Sequence, residues 1–202
     1  MTQNPDKPFS PACERNRIPI LNVLRPLFAE VELVLEIGSG TGQHAVFFAE
    51  QMPYLTWQTS DLAENHCAIR KWVEEAALRN VRLPLLLDVD ADTWPIDGAD
   101  AVFTANTLHI VSWPSVDETL AGVSRVLKAG GLFCAYGPFS YDGRHTSESN
   151  ARFDLSLRAQ NPHSGIRDFM RVCKLAADHD MSLQDDFAMP ANNRLLVFRK
   201  AV

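Results

Sequence analysis

The segment that most constrains the fold is a glycine-rich turn between an apolar strand and a helix. Residues 33–37 read Leu-Val-Leu-Glu-Ile, a run typical of a buried strand, and Gly38, Gly40 and Gly42 follow at alternate positions. Residues 42–52 then place apolar side chains at helical spacing. Glycines at such a junction let the backbone turn sharply and approach a ligand closely. This order is typical of cofactor binding at the carboxyl edge of an open α/β sheet.

The alternation of strand and helix continues along the chain. Four more apolar runs predict strands at 55–59, 83–87, 101–104 and 132–136. Apolar residues at steps of three and four predict helices over 17–28, 64–79, 166–176 and a stretch that Ser115 caps and Lys128–Gly131 ends. Strands that are apolar on both faces and separated by helices indicate a mostly parallel sheet with helices on both sides.

The end of the chain departs from this pattern. The runs 183–187 and 195–198 are separated only by residues 189–194, a connection too short for a helical crossover. We therefore expect the last two strands to pair antiparallel.

Composition narrows the class of protein. With 202 residues, 46% of them hydrophobic, the chain is predicted to form one domain over 1–202. The polar, proline-containing segment 1–11 is predicted to be a mobile arm. The four cysteines form no CxxC or Cys/His ligand pair, which predicts a reduced, cytoplasmic protein without a metal site.

Charge and hydropathy bear on the partners. The net charge is −6 and the basic residues are dispersed, which disfavours a nucleic-acid surface. No secretory signal is recognised at the N-terminus, and no apolar run approaches the roughly 18 residues of a membrane span. A small molecule is therefore the expected partner.

Two cofactor classes compete for the glycine turn. A dinucleotide fingerprint needs its third glycine at position 43, where Gln43 stands instead. Asp61 follows the second strand, where a carboxylate can accept hydrogen bonds from ribose hydroxyls in either class. Asp88 follows the third strand, within reach of an adenine amine. The alternatives are thus an adenosyl cofactor and, less well matched, a nicotinamide dinucleotide.

Taken together, the glycine turn, Asp61, Asp88, the Leu-Lys-Ala-Gly-Gly segment 127–131 and the terminal antiparallel pair resemble the class I S-adenosylmethionine (SAM)-dependent methyltransferases. The resemblance implies a three-layer, Rossmann-like fold whose seven-stranded sheet has an antiparallel C-terminal strand. It also implies SAM as cofactor and S-adenosylhomocysteine (SAH) as product. The predicted cofactor contacts fall on Asn16, Glu36, Gly38, Ser39, Gly40, Gly42, Asp61, Leu62, Asp88, Val89 and Asn106. Arg15 is either a further contact, with the carboxylate of the methionine moiety, or an ordinary charged residue at a helix start.

A narrower resemblance rests on motifs away from the glycine turn. They lie at 9–16, 108–110, 136–139, 142–150, 165–168 and 189–193, and include SPACERN, YGPF, DGRHTSESN and MPANN. These segments are similar to the signatures of a small methyltransferase-like family of unknown function. That family implies a fold and a cofactor but no substrate.

Three residues are candidates for the acceptor side. His109, just past the fourth strand, is either a general base or a packing histidine. The polar segment 138–165 is either a substrate lid, in which Arg144 and His145 bind an anionic acceptor, or a solvated loop. Residues 105–108 lack the Asn-Pro-Pro-aromatic pattern of enzymes that methylate nucleic-acid amino groups.

The sequence therefore predicts a SAM-dependent methyltransferase of a small molecule. The alternatives are a SAM- or SAH-binding module without turnover and an NAD(P)-dependent oxidoreductase. The methyl acceptor, the atom methylated, any need for a protein partner and the oligomeric state stay open.

Overall fold

The computed structural model describes residues 7–202 as helices and strands in the predicted alternation. Residues 1–6, which include half of the predicted arm, lie outside the described residues. The contacts divide the chain into two compact units, the first ending at Asp88 and the second running over Val89–Val202. Each unit is described by itself below, and a single domain over 1–202 stays a prediction.

The first unit holds three helices and three strands among its described residues. They are α1 (Pro11–Leu27), β1 (Leu33–Ile37), α2 (Gln43–Gln51), β2 (Thr56–Asp61), α3 (His66–Ala76) and β3 (Val81–Leu86), with a 3-10 turn at Ala63–Asn65. Strands β1, β2 and β3 pair in parallel. Leu35, Phe48, Trp57 and Ile69 form its core and are almost fully buried.

The second unit holds three helices and seven strands. They are β4 (Ala99–Ala105), α4 (Trp113–Val126), β5 (Leu127–Gly137), β6 (Phe139–Tyr141), β7 (Arg144–His145), α5 (Glu148–Gln160), β8 (Arg167–Asp168), α6 (Phe169–Asp178), β9 (Met181–Met189) and β10 (Asn193–Lys200), with a 3-10 turn at Pro190–Asn192. Strands β4 and β5 are parallel, and β10 is antiparallel to both β5 and β9.

The main sheet has seven strands in the order β3-β2-β1-β4-β5-β10-β9, and helices flank it. The prediction of a mostly parallel sheet with an antiparallel C-terminal strand is confirmed. The reason is the short link between β9 and β10, which leaves no room for a crossover. Among residues 7–202, none of the helices combines the length and the apolar character needed to cross a membrane.

Several predicted helix boundaries are wrong; α3 ends at Ala76 rather than at residue 79, and α6 begins at Phe169 rather than at residue 166. Helix α1 begins at Pro11 rather than at residue 17, because the Ser10 side chain accepts from the Cys13 amide and caps it there. Ser112, not Ser115, caps α4. That helix ends at Val126, and Lys128–Gly131 belong to β5, where the pairing with β4 shifts register and Gly131 lies too close to the Asp100 carbonyl for any side chain.

The predicted lid, 138–165, is folded rather than a bare loop. Strands β6 and β7 form a hairpin, β8 joins it in a second sheet of order β7-β6-β8, and α5 follows from its cap at Ser147. Whether this segment covers a substrate stays a prediction.

Candidate active site

The glycine turn at the end of β1 depends on left-handed backbone geometry. Gly38, Gly40 and Gly42 have φ of 70°, 57° and 88°. Gly42 also starts α2 so close to α3 that a Cβ there would come 3.1 Å from the Ile69 Cα atom. At Gly40 the opposite holds, since a Cβ would meet no atom of the described residues, 7–202, within 4 Å. The backbone at Gly40 therefore borders open space.

Asp61, the last residue of β2, is tied directly to this turn. Its Oδ2 atom accepts from the Gly40 amide at 2.7 Å, and its Oδ1 atom accepts from the Leu62 amide and from Asn65 Nδ2, both at 2.8 Å. A carboxylate offers about four acceptor positions, and the hydrogen bonds from the described part of the chain leave one further position on Oδ2 for a hydroxyl donor. Leu62 is 40% exposed beside it and supplies an apolar surface.

Glu36 is the buried carboxyl of the turn. It is 1% exposed, and its Oε2 accepts from Trp57 Nε1 at 3.1 Å. Burial raises the pKa of Glu36 to about 7, against the lowering effect of hydrogen bonds from Ser39 and Trp57. Ser39 in turn exchanges two hydrogen bonds with Ser60 of β2, at 3.0 and 3.2 Å. The turn is thus joined to β2 at several points.

The N-terminal part of α1 packs on the first turn of α2. The Asn16 Oδ1 atom accepts from His44 Nε2 at 2.7 Å, and the other ring nitrogen of His44 lies 3.8 Å from Cys13 Sγ. Burial, with a smaller effect of the Arg17 charge, lowers the pKa of His44 to about 4. Asn16, predicted to contact the cofactor, is therefore buried and engaged with His44, while Arg15 is exposed.

The described part of the predicted arm contacts α3. Lys7 Nζ lies 2.9 Å from a Glu75 oxygen and 3.6 Å from the centre of the Trp72 ring, and Trp72 Nε1 donates to the Pro8 carbonyl at 2.7 Å. The Ser10 amide donates to the side chain of Gln43, at the start of α2. Mobility of the arm as a whole stays a prediction.

Asp88 and Val89 follow β3 at the boundary between the units. Asp88 is exposed and Val89 is partly buried. The preceding residue, Leu87, donates its amide to the Asp61 carbonyl at 3.1 Å, which aligns this segment with the end of β2. Their contacts with an adenine stay predictions.

In the second unit, Asn106 and His109 come together beside Gly137. Asn106 directly follows β4, has φ of 61° and donates its amide to the Tyr136 carbonyl at 2.8 Å. A Cβ on Gly137 would lie 3.6 Å from His109 Nδ1 and 3.9 Å from Asn106 Oδ1. Burial, with a smaller effect of the Arg167 charge, lowers the pKa of His109 to about 4, so its imidazole is neutral at pH 7.

Arg144 and His145 are both exposed on β7. His145 Nε2 lies 3.6 Å from Asp154 Oδ2, an oxygen that also accepts from Arg158 Nε at 2.8 Å. Asp154 belongs to α5, and its neighbour Phe153 meets the His109 ring edge-on, with 5.4 Å between ring centres. The structure therefore links His145 and His109 to adjacent residues of α5.

Sequence reasoning missed several residues of these clusters, namely His44, Phe153, Asp154 and Arg167. Helix α5 carries no clear apolar stripe in the sequence, so its inward side was not predicted. A motif that the sequence does display, Gly165-Ile-Arg-Asp at 165–168, was the available signal for Arg167.

The sheet order, the glycine turn after β1 and the carboxylate that ends β2 define the fold of the class I SAM-dependent methyltransferases. The chain belongs to the family described as "Protein of unknown function (DUF938)", whose model matches residues 7–200.

Solved structures of similar fold agree with this class. An O-methyltransferase family protein from Burkholderia thailandensis has a TM-score of 0.83 and 21% identity over 94% of this chain and 57% of its own. PigF, solved with SAH, has a TM-score of 0.80 and 18% identity over 93% and 56%. An O-methyltransferase family 2 protein from Planctomyces limnophilus, in complex with apigenin, has a TM-score of 0.75 and 18% identity over 84% and 51%. The chain thus spans little more than half the length of these proteins.

Proposed function

We propose that this chain is a SAM-dependent methyltransferase that methylates a hydroxyl oxygen of a small molecule. The observation that carries the proposal is the hydrogen bond between the Gly40 amide and Asp61, beside open space at Gly40. This hydrogen bond orients the Asp61 carboxylate at the edge of the sheet, next to the open space at Gly40. When bound, SAM supplies a methyl group on a positively charged sulfur.

The residues of the first unit fit this group. The remaining acceptor position on Asp61 suits a ribose hydroxyl, and the exposed Leu62 side chain suits the face of an adenine. A nicotinamide dinucleotide fits less well. Its fingerprint needs a glycine at position 43, where this chain has Gln43 as the first residue of α2.

The acceptor side is proposed for the second unit. His109 is neutral, and its Nδ1 atom would lie 3.6 Å from a Cβ on Gly137. As a hydroxyl oxygen bonds to the methyl group its proton becomes strongly acidic, so an imidazole with a pKa of about 4 is still able to accept it. Arg144 and His145, exposed on β7, would orient an anionic group of the acceptor.

Oxygen as the methylated atom is supported by the similar proteins from Burkholderia thailandensis and Planctomyces limnophilus, both described as O-methyltransferases. The apigenin complex supports a small-molecule acceptor. A SAM-binding module without turnover is the second candidate, favoured by the deep burial of His109.

The first experiment titrates the purified protein with SAH by calorimetry, with NADH in parallel. We expect SAH to bind with a Kd on the order of micromolar, about −8 kcal/mol, and NADH to bind far more weakly. Asp61→Ala should abolish SAH binding, whereas Asp92→Ala, at an exposed position, should leave it unchanged. A preference for NADH, or no SAH binding, would contradict the proposal.

The second experiment measures SAH release from SAM with a panel of phenols, carboxylic acids and alcohols. Release that depends on an acceptor and falls in His109→Gln supports methyl transfer. Binding of SAH without release from any acceptor would instead favour the binding module.

A further inference from the structure

Every carbonyl of the loop that carries His109 is hydrogen-bonded by one short segment. The loop is 108–111, which is separated from the end of β4 by two residues, and the segment is 164–167, which ends at the first residue of β8. The bonds run from Arg167 Nε to Leu108 O (2.8 Å), from the Gly165 amide to His109 O (2.9 Å), from Ser164 Oγ to Ile110 O (2.5 Å) and from Arg167 Nη2 to Val111 O (2.5 Å). Four consecutive carbonyls are thus fixed by three residues.

Arg167 is a costly residue to bury. Its side chain is 2% exposed, and Nη2 also donates to the His163 carbonyl at 2.9 Å. Burial and the neighbouring charges of Arg158 and Arg171 lower its pKa to about 10, which still leaves it charged at pH 7. An apolar side chain would fill this space without losing the hydration of a charged group. The presence of a buried arginine therefore needs an explanation in what its charge and its hydrogen-bond donors do.

Gly165 is required for the same arrangement. Its φ is 151°, and a Cβ there would come 2.7 Å from Arg158 Nη2 and 2.9 Å from Asp154 Oδ1. The next amide, that of Ile166, donates to the same Asp154 oxygen at 2.6 Å. Only a glycine lets the chain donate to the His109 carbonyl and to Asp154 with successive amides.

We propose that Arg167 is the positioning residue for His109. It fixes the backbone on both sides of the histidine, through Leu108 and Val111, and sets a positive charge near the imidazole. The inference rests on the proposed role of His109 in proton transfer and adds to it a residue that holds the ring in place and, to a smaller extent than burial, lowers the pKa of the imidazole. The other charged groups of this region are Arg158 and Asp154 on α5 and Arg171 on α6.

A purely structural Arg167 would alter stability without altering the titration of His109. The test is therefore the imidazole titration, followed by NMR of protein carrying Cε1-labelled histidine, with the six histidines assigned by single His→Gln variants. The variants compared are Arg167→Met, which loses both charge and donors, and Arg167→Lys, which keeps the charge. His44, in the first unit, is the internal control.

We expect Arg167→Met to raise the His109 midpoint by about one pH unit, towards the ordinary histidine value near 6.5. Arg167→Lys should leave that midpoint within roughly 0.3 units, and His44 should not move in either variant. A folded Arg167→Met protein with an unchanged His109 midpoint would overturn the proposal.

A second measurement covers the case in which Arg167→Met does not fold. The amides of Ile110 and Val111 donate to the Thr107 carbonyl inside the loop, so their hydrogen exchange reports its opening. In Arg167→Lys we expect their exchange to speed up roughly tenfold, with that of β10 unchanged. Unchanged exchange at both amides would overturn the proposal.

Both measurements are made without SAM or an acceptor, so a failure of the proposed function would not affect them. Once an acceptor is found, Arg167→Lys should lower kcat while leaving the KM for SAM unchanged. A rise in that KM with kcat unchanged would count against the positioning role.

Discussion

The backbone amide of Gly40 donates to Asp61 Oδ2 at 2.7 Å, so the turn after β1 and the carboxylate that ends β2 form one hydrogen-bonded element. Asn65 Nδ2 holds the other carboxylate oxygen at 2.8 Å. The orientation of Asp61 is therefore set before any ligand arrives, which lowers the entropic cost of binding.

This arrangement predicts a graded loss of SAH affinity. Asp61→Asn keeps an acceptor for Gly40 but removes the charge, and we expect affinity to fall about 10-fold to 100-fold, the value of a charged hydrogen bond. Asn65→Ala removes one of the donors that orient the carboxylate and should lower the SAH affinity only a few-fold. Calorimetry of the two variants checks this, and a larger loss in Asn65→Ala than in Asp61→Asn would refute the role given to Asp61.

Gly42→Ala should destabilise the first unit. The residue has φ of 88°, and an added Cβ would lie 3.1 Å from the Ile69 backbone. We expect a loss of about 3 kcal/mol in the free energy of unfolding, from left-handed strain and steric conflict together. Gly143→Ala is the control. Its φ is 70°, but a Cβ there meets none of the residues that the structure describes within 4 Å, so only the strain of about 1 kcal/mol applies. Equal losses in urea denaturation would be inconsistent with the steric term.

Glu36 should make the protein less stable as pH rises. Its folded pKa is about 7, whereas an unfolded glutamate titrates near 4.3, so between these values the folded state binds more protons. The contribution of Glu36 to the stability of the fold is complete below about pH 4 and is lost as pH rises through 7. Glu36→Gln still offers an oxygen to Trp57, and its free energy of unfolding relative to the wild type should rise by about 1–3 kcal/mol from pH 5 to pH 8. A difference that does not change with pH would show that Glu36 titrates normally.

His44 should have the opposite effect to Glu36 and make the protein more stable as pH rises. Its folded pKa is about 4, and an unfolded histidine titrates near 6.5, so between these values the unfolded state binds more protons. The stabilisation is present above about pH 6.5 and is lost as pH falls to 4. Between pH 7.5 and pH 4.5 we expect the free energy of unfolding of His44→Gln to fall by about 1–3 kcal/mol less than that of the wild type, as measured by urea denaturation. Parallel curves for the two proteins would exclude this titration.

Asn150 joins two motifs that are far apart in the sequence. Its Nδ2 donates to the Asn192 carbonyl at 3.0 Å and to Thr146 Oγ1 at 2.9 Å, and the residue is buried. Asn150→Ala should cost about 1–3 kcal/mol, because the Asn192 carbonyl loses its donor. Arg152→Ala, at an exposed pair with Glu148, should stay within about 0.5 kcal/mol of the wild type. Equal stability of both variants, or unchanged proteolysis of the 189–193 loop in Asn150→Ala, would argue against this link.

The alternation of strands and helices, the glycine turn and the antiparallel C-terminal pair were all predictable from the sequence. Each depends on features a few residues apart: apolar periodicity, glycine spacing or the length of one connection. The place of Asp61 at the end of a strand was predictable for the same reason, whereas its contact with a cofactor stays a prediction. The boundaries of α1 and α4 were not predictable, since either Ser112 or Ser115 could cap a helix, and only the backbone geometry shows that the Ser112 hydroxyl accepts from the Ser115 amide in the first turn.

The cluster around His109 was decided only by tertiary structure. Ser164 and Arg167 reach the carbonyls of residues 110 and 108 across 54 and 59 positions of sequence. The hydrogen bond between Asn16 and His44 was not predicted either, and a contact of Asn16 with a cofactor stays a prediction. Periodicity records which side of an element is buried, but hydrogen bonds between distant segments depend on how those elements pack in three dimensions, and no local pattern of residues encodes that.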